Sequence, residues 1–120
     1  MNHLALVIED EVSLRTIYQV ILSGAGYEVI EAHDGEEALA ILAEVTPSVV
    51  FVDILLPRVD GTQILNYMRT APHLQETKIV IVTAHNRFRQ AQSVHPTDTF
   101  LLKPVRPQDL LEAVARATSV

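Results

Sequence analysis

The stretch S-V-V-F-V-D-I-L-L-P-R-V-D-G, residues 48–61, governs how the rest of the chain is read. Its first part, Ser48–Val52, is an apolar, β-branched run of the kind found in strands buried on both faces. The run stops at a carboxylate, Asp53. A proline-containing loop follows, and Asp60-Gly61 turns into a helix bearing Ile64, Leu65 and Met68. Strand, acidic end, loop and helix together make one βα unit.

The same unit recurs on either side. Leu4–Ile8 is a second continuous apolar run, ending in Glu9-Asp10-Glu11. A helix over Ser13–Ser23 carries Leu14, Ile17, Tyr18, Ile21 and Leu22 at helical spacing, and Gly24 and Gly26 stop it. Tyr27–Ala32 is a strand. Asp34 is placed to cap a helix with Ala38, Leu39, Ile41 and Leu42, and Pro47 ends that connection. Beyond the central unit, Lys78–Val82 is the fourth strand, Asn86–Val94 a weak helix, and Thr97–Leu102 the fifth strand. Pro107 suits the first turn of a last helix, with Leu110, Leu111 and Val114 predicted to face inward. Five βα units predict an α/β fold, a doubly wound (βα)5 three-layer sandwich with a parallel five-stranded sheet. The first, third and fourth strands read as central. That favours the order 2-1-3-4-5, flavodoxin-like, with the functional crevice at the carboxyl ends of the strands. The 120 residues suit a single domain, taken as residues 1–120.

Composition removes several function classes. With no cysteine, neither a disulfide framework nor a cysteine-based metal site is possible. The apolar runs are too short for a membrane span, and the N-terminus lacks the pattern of a signal peptide. A cytoplasmic setting is expected. The net charge is −6 and the isoelectric point about 5.2, with no cluster of Lys and Arg. Direct nucleic-acid binding needs a basic face and is not expected.

The strand ends carry the chemistry. Glu9 and Asp10 follow the first strand, Asp53 the third, Thr83-Ala84 the fourth, and Lys103-Pro104 the fifth. In a parallel sheet these ends share one edge. Each residue alone has an ordinary reading, as a helix cap, a turn residue, a structural hydroxyl or a solvated lysine. Together they bring three carboxylates, a hydroxyl and an ammonium to one crevice. Carboxylates so close raise one another's pKa, and a hard divalent cation such as Mg2+ relieves the conflict. A lysine and a threonine beside it are placed to bind phosphoryl oxygens.

These residues resemble the response-regulator receiver family of bacterial two-component systems, the CheY-like domains. The segments that carry the resemblance are V-I-E-D-E at Val7–Glu11, D-G-E-E-A-L at Asp34–Leu39, V-D-I-L-L-P-R-V-D-G at Val52–Gly61, V-T-A at Val82–Ala84 and F-L-L-K-P at Phe100–Pro104. The resemblance implies that Asp53 is the phosphoacceptor. It implies that Asp10 binds Mg2+ directly with help from Glu9, Asp53 and the backbone carbonyl of Leu55. It also assigns Thr83 and Lys103 to phosphoryl oxygens, Phe100 to a burial switch coupled to Thr83, and a cis bond to Pro104. The implied role is phosphoacceptor signalling rather than enzymatic turnover of a substrate, beyond the domain's own phosphorylation and dephosphorylation. The implied partners are a histidine kinase or phosphotransfer protein. A downstream effector or a second copy would meet the face formed by the fourth helix, fifth strand and fifth helix.

Several positions depart from the family pattern. Glu9 stands where aspartate is commoner, Phe100 lacks a tyrosine hydroxyl, and Pro96 precedes the fifth strand. Ala113 and Ala115 occupy places where dimerising transcription factors carry arginine, and His85, two residues after Thr83, reads as a solvent-exposed loop histidine rather than one lining the entrance. A pseudo-receiver serving only protein interaction requires a damaged site, whereas Asp10, Asp53, Thr83 and Lys103 are all present. A magnesium-dependent aspartyl-phosphate phosphatase expects a second acid two residues after the nucleophile, where this chain has Leu55. That apolar side chain beside the phosphoryl position is expected to shield an acyl phosphate from water. Leu55→Ala should therefore hasten loss of the phosphoryl group, followed by intact mass over time; an unchanged lifetime would remove the shielding role.

Overall fold

The computed structural model describes residues 3–54, 61–84 and 99–118. Strands β1 (His3–Ile8), β2 (Tyr27–Ala32), β3 (Val49–Asp53), β4 (Lys78–Thr83) and β5 (Thr99–Leu102) alternate with helices α1 (Val12–Gly24), α2 (Gly35–Glu44), α3 (Gly61–Thr70) and α4 (Pro107–Thr118). The strands are all parallel, in the order β2-β1-β3-β4-β5. This is the doubly wound α/β fold expected from the sequence. The predicted helix over Asn86–Val94 lies outside the described residues, as do Leu55, His85 and Pro96.

The central strands are apolar on both faces because both faces are covered. Leu6, Ile8, Val50, Val52, Ile79 and Ile81 point to one side, where Ala38 and Leu42 of α2 and Ile64, Leu65 and Met68 of α3 meet them. The alternate residues Ala5, Val7, Val49, Phe51, Val80 and Val82 meet Leu14, Tyr18 and Leu22 of α1 and Leu110, Ala113 and Val114 of α4. Successive strand residues point to opposite faces, so one continuous run fills two cores. Each Leu, Ile or Phe so buried contributes about 1.5–3 kcal/mol. The rings of Tyr18 and Phe51 meet in a tilted contact, 5.2 Å between centroids.

Local chemistry sets the element ends. Asp34 Oδ1 accepts from the Glu37 N–H at 2.9 Å, and Glu37 Oε1 accepts from the His33 N–H, so both ends of this first turn are satisfied. Gly26, at φ 94°, turns the chain from α1 into β2 in a conformation that favours glycine. A short 3-10 turn at Pro72–Leu74, not anticipated from the sequence, follows α3. Gln75 closes it, its amide donating to the carbonyls of Met68, Arg69 and Ala71. At the amino edge of the sheet, Ser48 N–H donates to Leu4 O and Lys78 N–H to Ser48 O. The buried Thr77 hydroxyl donates to Pro47 O at 2.7 Å. Among the described residues, no helix is long and apolar enough to cross a membrane.

One inward assignment is corrected. Leu111 is 48 % exposed, whereas Ala113 is buried. Leu110, Ala113 and Val114 lie three and four residues apart and share one stripe of α4. Leu111 is a full 100° step round from Leu110, off that stripe.

Gly61 is required by close packing. A Cβ added there would lie 2.5 Å from Ile54 Cα and 2.8 Å from the Asp53 carbonyl oxygen. Both obstacles are backbone, which cannot move aside as a flexible side chain would. Gly61→Ala should cost about 1–3 kcal/mol of stability, read from urea unfolding; a wild-type midpoint would contradict this packing account.

Candidate functional site

The parallel register brings the sequence-predicted residues to one edge. Ile8 pairs with Val52, so Glu9 and Asp53 each stand one step past that pair. Asp53 itself pairs with Val82, and Thr83 with Leu102. The ladder runs on for one more bond, Lys103 N–H donating to Thr83 O at 2.8 Å. Glu9, Asp53 and Thr83 are buried, Lys103 is half-buried and Asp10 is exposed. The Lys103–Pro104 peptide bond is cis.

Lys103 is the hub of the charges. Its Nζ donates to Asp53 Oδ2 at 3.0 Å and to Glu9 Oε2 at 3.3 Å, and lies 3.2 Å from Glu9 Oε1. Glu9 Oε2 also accepts from the Glu11 N–H. Burial alone would lower the lysine pKa. The hydrogen bond and charge of Asp53, and then those of Glu9, outweigh it and hold the ammonium above the ordinary lysine range. Burial pushes the Glu9 carboxyl up from 4.5 to about 7, and the Asp53 charge adds to the rise against Lys103. One cation does not fully neutralise two buried carboxylates. The field extends to Tyr18, whose phenol is raised first by burial and then by Glu9 and Asp53.

A cation would complete the balance. Glu9, Asp10 and Asp53 each offer a carboxylate oxygen, all within 4.8 Å of one another. Glu9 Oε1 is buried and accepts no hydrogen bond. The donors are oxygens only, which fits a hard divalent ion. Thr83 and Phe100 project on the same face of the sheet, since Phe100 pairs with Ile81 and Thr83 is two residues further along β4. Phe100 is partly buried against the core shared with α2 and α3.

The family model of the response regulator receiver domain matches residues 5–115. The chain belongs to this family. The receiver is 32% identical to Protein PilG of Pseudomonas aeruginosa, over 91% of this chain and 82% of that protein. It is 36% identical to the probable transcriptional regulator ycf27 of Porphyridium aerugineum, over 88% of this chain but only 43% of that longer protein. Among solved structures, the chemotaxis response regulator CheY4 of Vibrio cholerae superposes with a TM-score of 0.87 at 28% identity, covering 98% of this chain and 99% of that one. TrrA of Thermotoga maritima, solved in complex with Mg2+-BeF, gives 0.85 at 28% identity, covering 96% and 98%. The receiver is thus a domain of two-component signalling with an acidic pocket formed by Glu9, Asp10 and Asp53.

Two contributors to this edge were not assigned from sequence. Gly61 allows α3 to start against the Asp53 backbone; its place after Asp60 signalled a turn but not the close approach. Arg15 Nη1 donates to the Glu9 carbonyl at 2.9 Å. A basic residue one turn into the helix after an acidic strand end was the available signal.

The raised Glu9 pKa sets a pH dependence for the metal-free protein. A carboxyl held above its ordinary value contributes stability that is full below about pH 4.5 and is lost as pH rises through about 7. In chelator, the melting temperature should therefore fall from about pH 5 to about pH 8, and Glu9→Gln should flatten that fall. A slope unchanged by the substitution would show that another group titrates.

Proposed function

We propose that the receiver accepts a phosphoryl group on Asp53 with Mg2+ held by Glu9, Asp10, Asp53 and the backbone carbonyl of Leu55. The observation that carries this reading is the cluster itself, two buried carboxylates and an exposed third within reach of one cation, with Lys103 bonded to Asp53. The Mg2+-BeF complex of TrrA, a structural neighbour, supports the same occupant here. When bound, Mg2+ supplies positive charge that screens the carboxylates from the incoming phosphoryl oxygens.

The rest is done by the chain's own residues. An Asp53 carboxylate oxygen attacks phosphorus of a phosphohistidine on a histidine kinase or phosphotransfer protein. The O–P bond forms as the P–N bond breaks, and the electron pair leaves with the imidazole. The protonated Lys103 is already 3.0 Å from Asp53 Oδ2 and transfers its hydrogen bond to a phosphoryl oxygen. Thr83 donates its hydroxyl to another. An open groove of about 470 Å3, lined by Glu11, Leu14, Ile17, Lys103, Pro104 and Val105, gives the donor protein a surface beside the site.

The output follows from Thr83 moving toward the acyl phosphate and Phe100 turning inward on the face it shares with Thr83. The surface around β5 and α4 then changes for an effector or a second copy. A cytoplasmic setting goes with this reading, and the domain covers residues 1–120.

Acetyl phosphate or phosphoramidate with Mg2+ should add one phosphoryl group to the wild-type chain, read by intact mass. Asp53→Asn or excess chelator should abolish the addition. Modification that persists in Asp53→Asn would place the phosphoryl group elsewhere.

A further inference from the structure

Arg15 lies in the second turn of α1, with its side chain only 12% exposed. It spans the opening of the β1–α1 connection: Nη1 donates to the Glu9 carbonyl at 2.9 Å, and Nε lies 3.9 Å from Glu31 Oε1 on β2. The Glu9 N–H in turn donates to Ala32 O at 3.1 Å, next to Glu31 in the same strand. The Glu9 main chain is therefore held on both sides, by β2 directly and by an arginine that is itself tethered to β2. Glu11 makes no side-chain capping bond at the start of α1, and its own N–H donates to the Glu9 carboxylate. The connection that carries Glu9 and Asp10 is thus defined by Arg15, the main chain, and the bonds of the Glu9 carboxylate to Glu11 and Lys103.

We propose that Arg15 is a positioning residue for the acid cluster, fixing the Glu9 main chain so that its buried carboxylate stays aimed at Asp10 and Asp53. This rests on the magnesium reading given above. The planar guanidinium suits the task because it presents donors in a rigid fork and serves two acceptors in different directions. A lysine offers one charged centre, which reaches the Glu9 carbonyl without holding Glu31 as well. The Arg15–Glu31 pair is long and partly exposed, so its contribution is orientation more than energy. Groups that orient a metal ligand act on affinity for the metal, because an ill-aimed carboxylate must be ordered when the ion binds.

The test is a titration of the full chain with MgCl2 by calorimetry, beside thermal unfolding in chelator, for wild type, Arg15→Ala and Arg15→Lys. Magnesium affinity should weaken about ten-fold in Arg15→Ala and by a smaller factor in Arg15→Lys. Phosphorylation by acetyl phosphate should recover in both when magnesium is raised in proportion. An Arg15→Ala protein that melts earlier yet binds magnesium as wild type does would overturn the proposal, leaving Arg15 as a fastening of α1. If Arg15→Ala does not fold, Arg15→Lys decides on the same measure: weakened binding supports the proposal and wild-type binding overturns it. Wild-type protein that binds no magnesium defeats the underlying function instead, and that failure is visible before any variant is compared.

Discussion

Two carboxylates buried side by side need a cation between them, and Lys103 supplies it. Its ammonium bonds to Asp53 and Glu9 together, across strands that lie far apart in the chain. The rest of the architecture serves this contact. Glu9 leaves β1, Asp53 ends β3, and Lys103 leaves β5. They meet only because the sheet is parallel, so that every strand delivers its last residue to the same edge. The pair is left unbalanced, with Glu9 raised well above the ordinary carboxylate range. That residual repulsion is stored where an arriving cation can relieve it.

The two-faced core explains how such a charge cluster can be tolerated. β1, β3 and β4 are sealed on both sides by helices, and their side chains alternate between two apolar cores. The polar residues come after the apolar runs have ended, at the rim. Desolvation is therefore strong at Glu9 and weaker at Asp10, which stays exposed. A gradient of this kind gives neighbouring acids different roles without different chemistry.

Much of this was legible in the sequence because the signals were local and repeated. Continuous apolar runs marked the buried strands, and the strand order followed from which runs were longest in apolar character. Tyr27–Ala32 was placed residue for residue, and Asp34 caps α2 as its position suggested. The convergence of Glu9, Asp10, Asp53 and Lys103 could be read because a parallel sheet dictates it. Other features depend on contacts that a linear pattern does not encode. The inward turn of Ala113 in place of Leu111 is a matter of helix phase, and the larger apolar residue misled the assignment. The three carbonyls gathered by Gln75 and the guanidinium over Glu9 are made by long polar side chains. Such side chains have ordinary exposed uses in most helices, so nothing in their spacing sets them apart.

The opposite edge of the sheet has a consequence for how freely the site can vary. There Ser48 ties β1 to β4 through its own main chain, and the Thr77 hydroxyl clasps the Pro47 carbonyl. Strand alignment is anchored at that end, a full strand length from the charges. The carboxyl rim, with the charges at its tip, is fastened as well, by main-chain bonds from Glu9 to Ala32, Ile54 to Val82 and Lys103 to Thr83. Altered charge at the tip changes what the rim attracts without sliding one strand against the next.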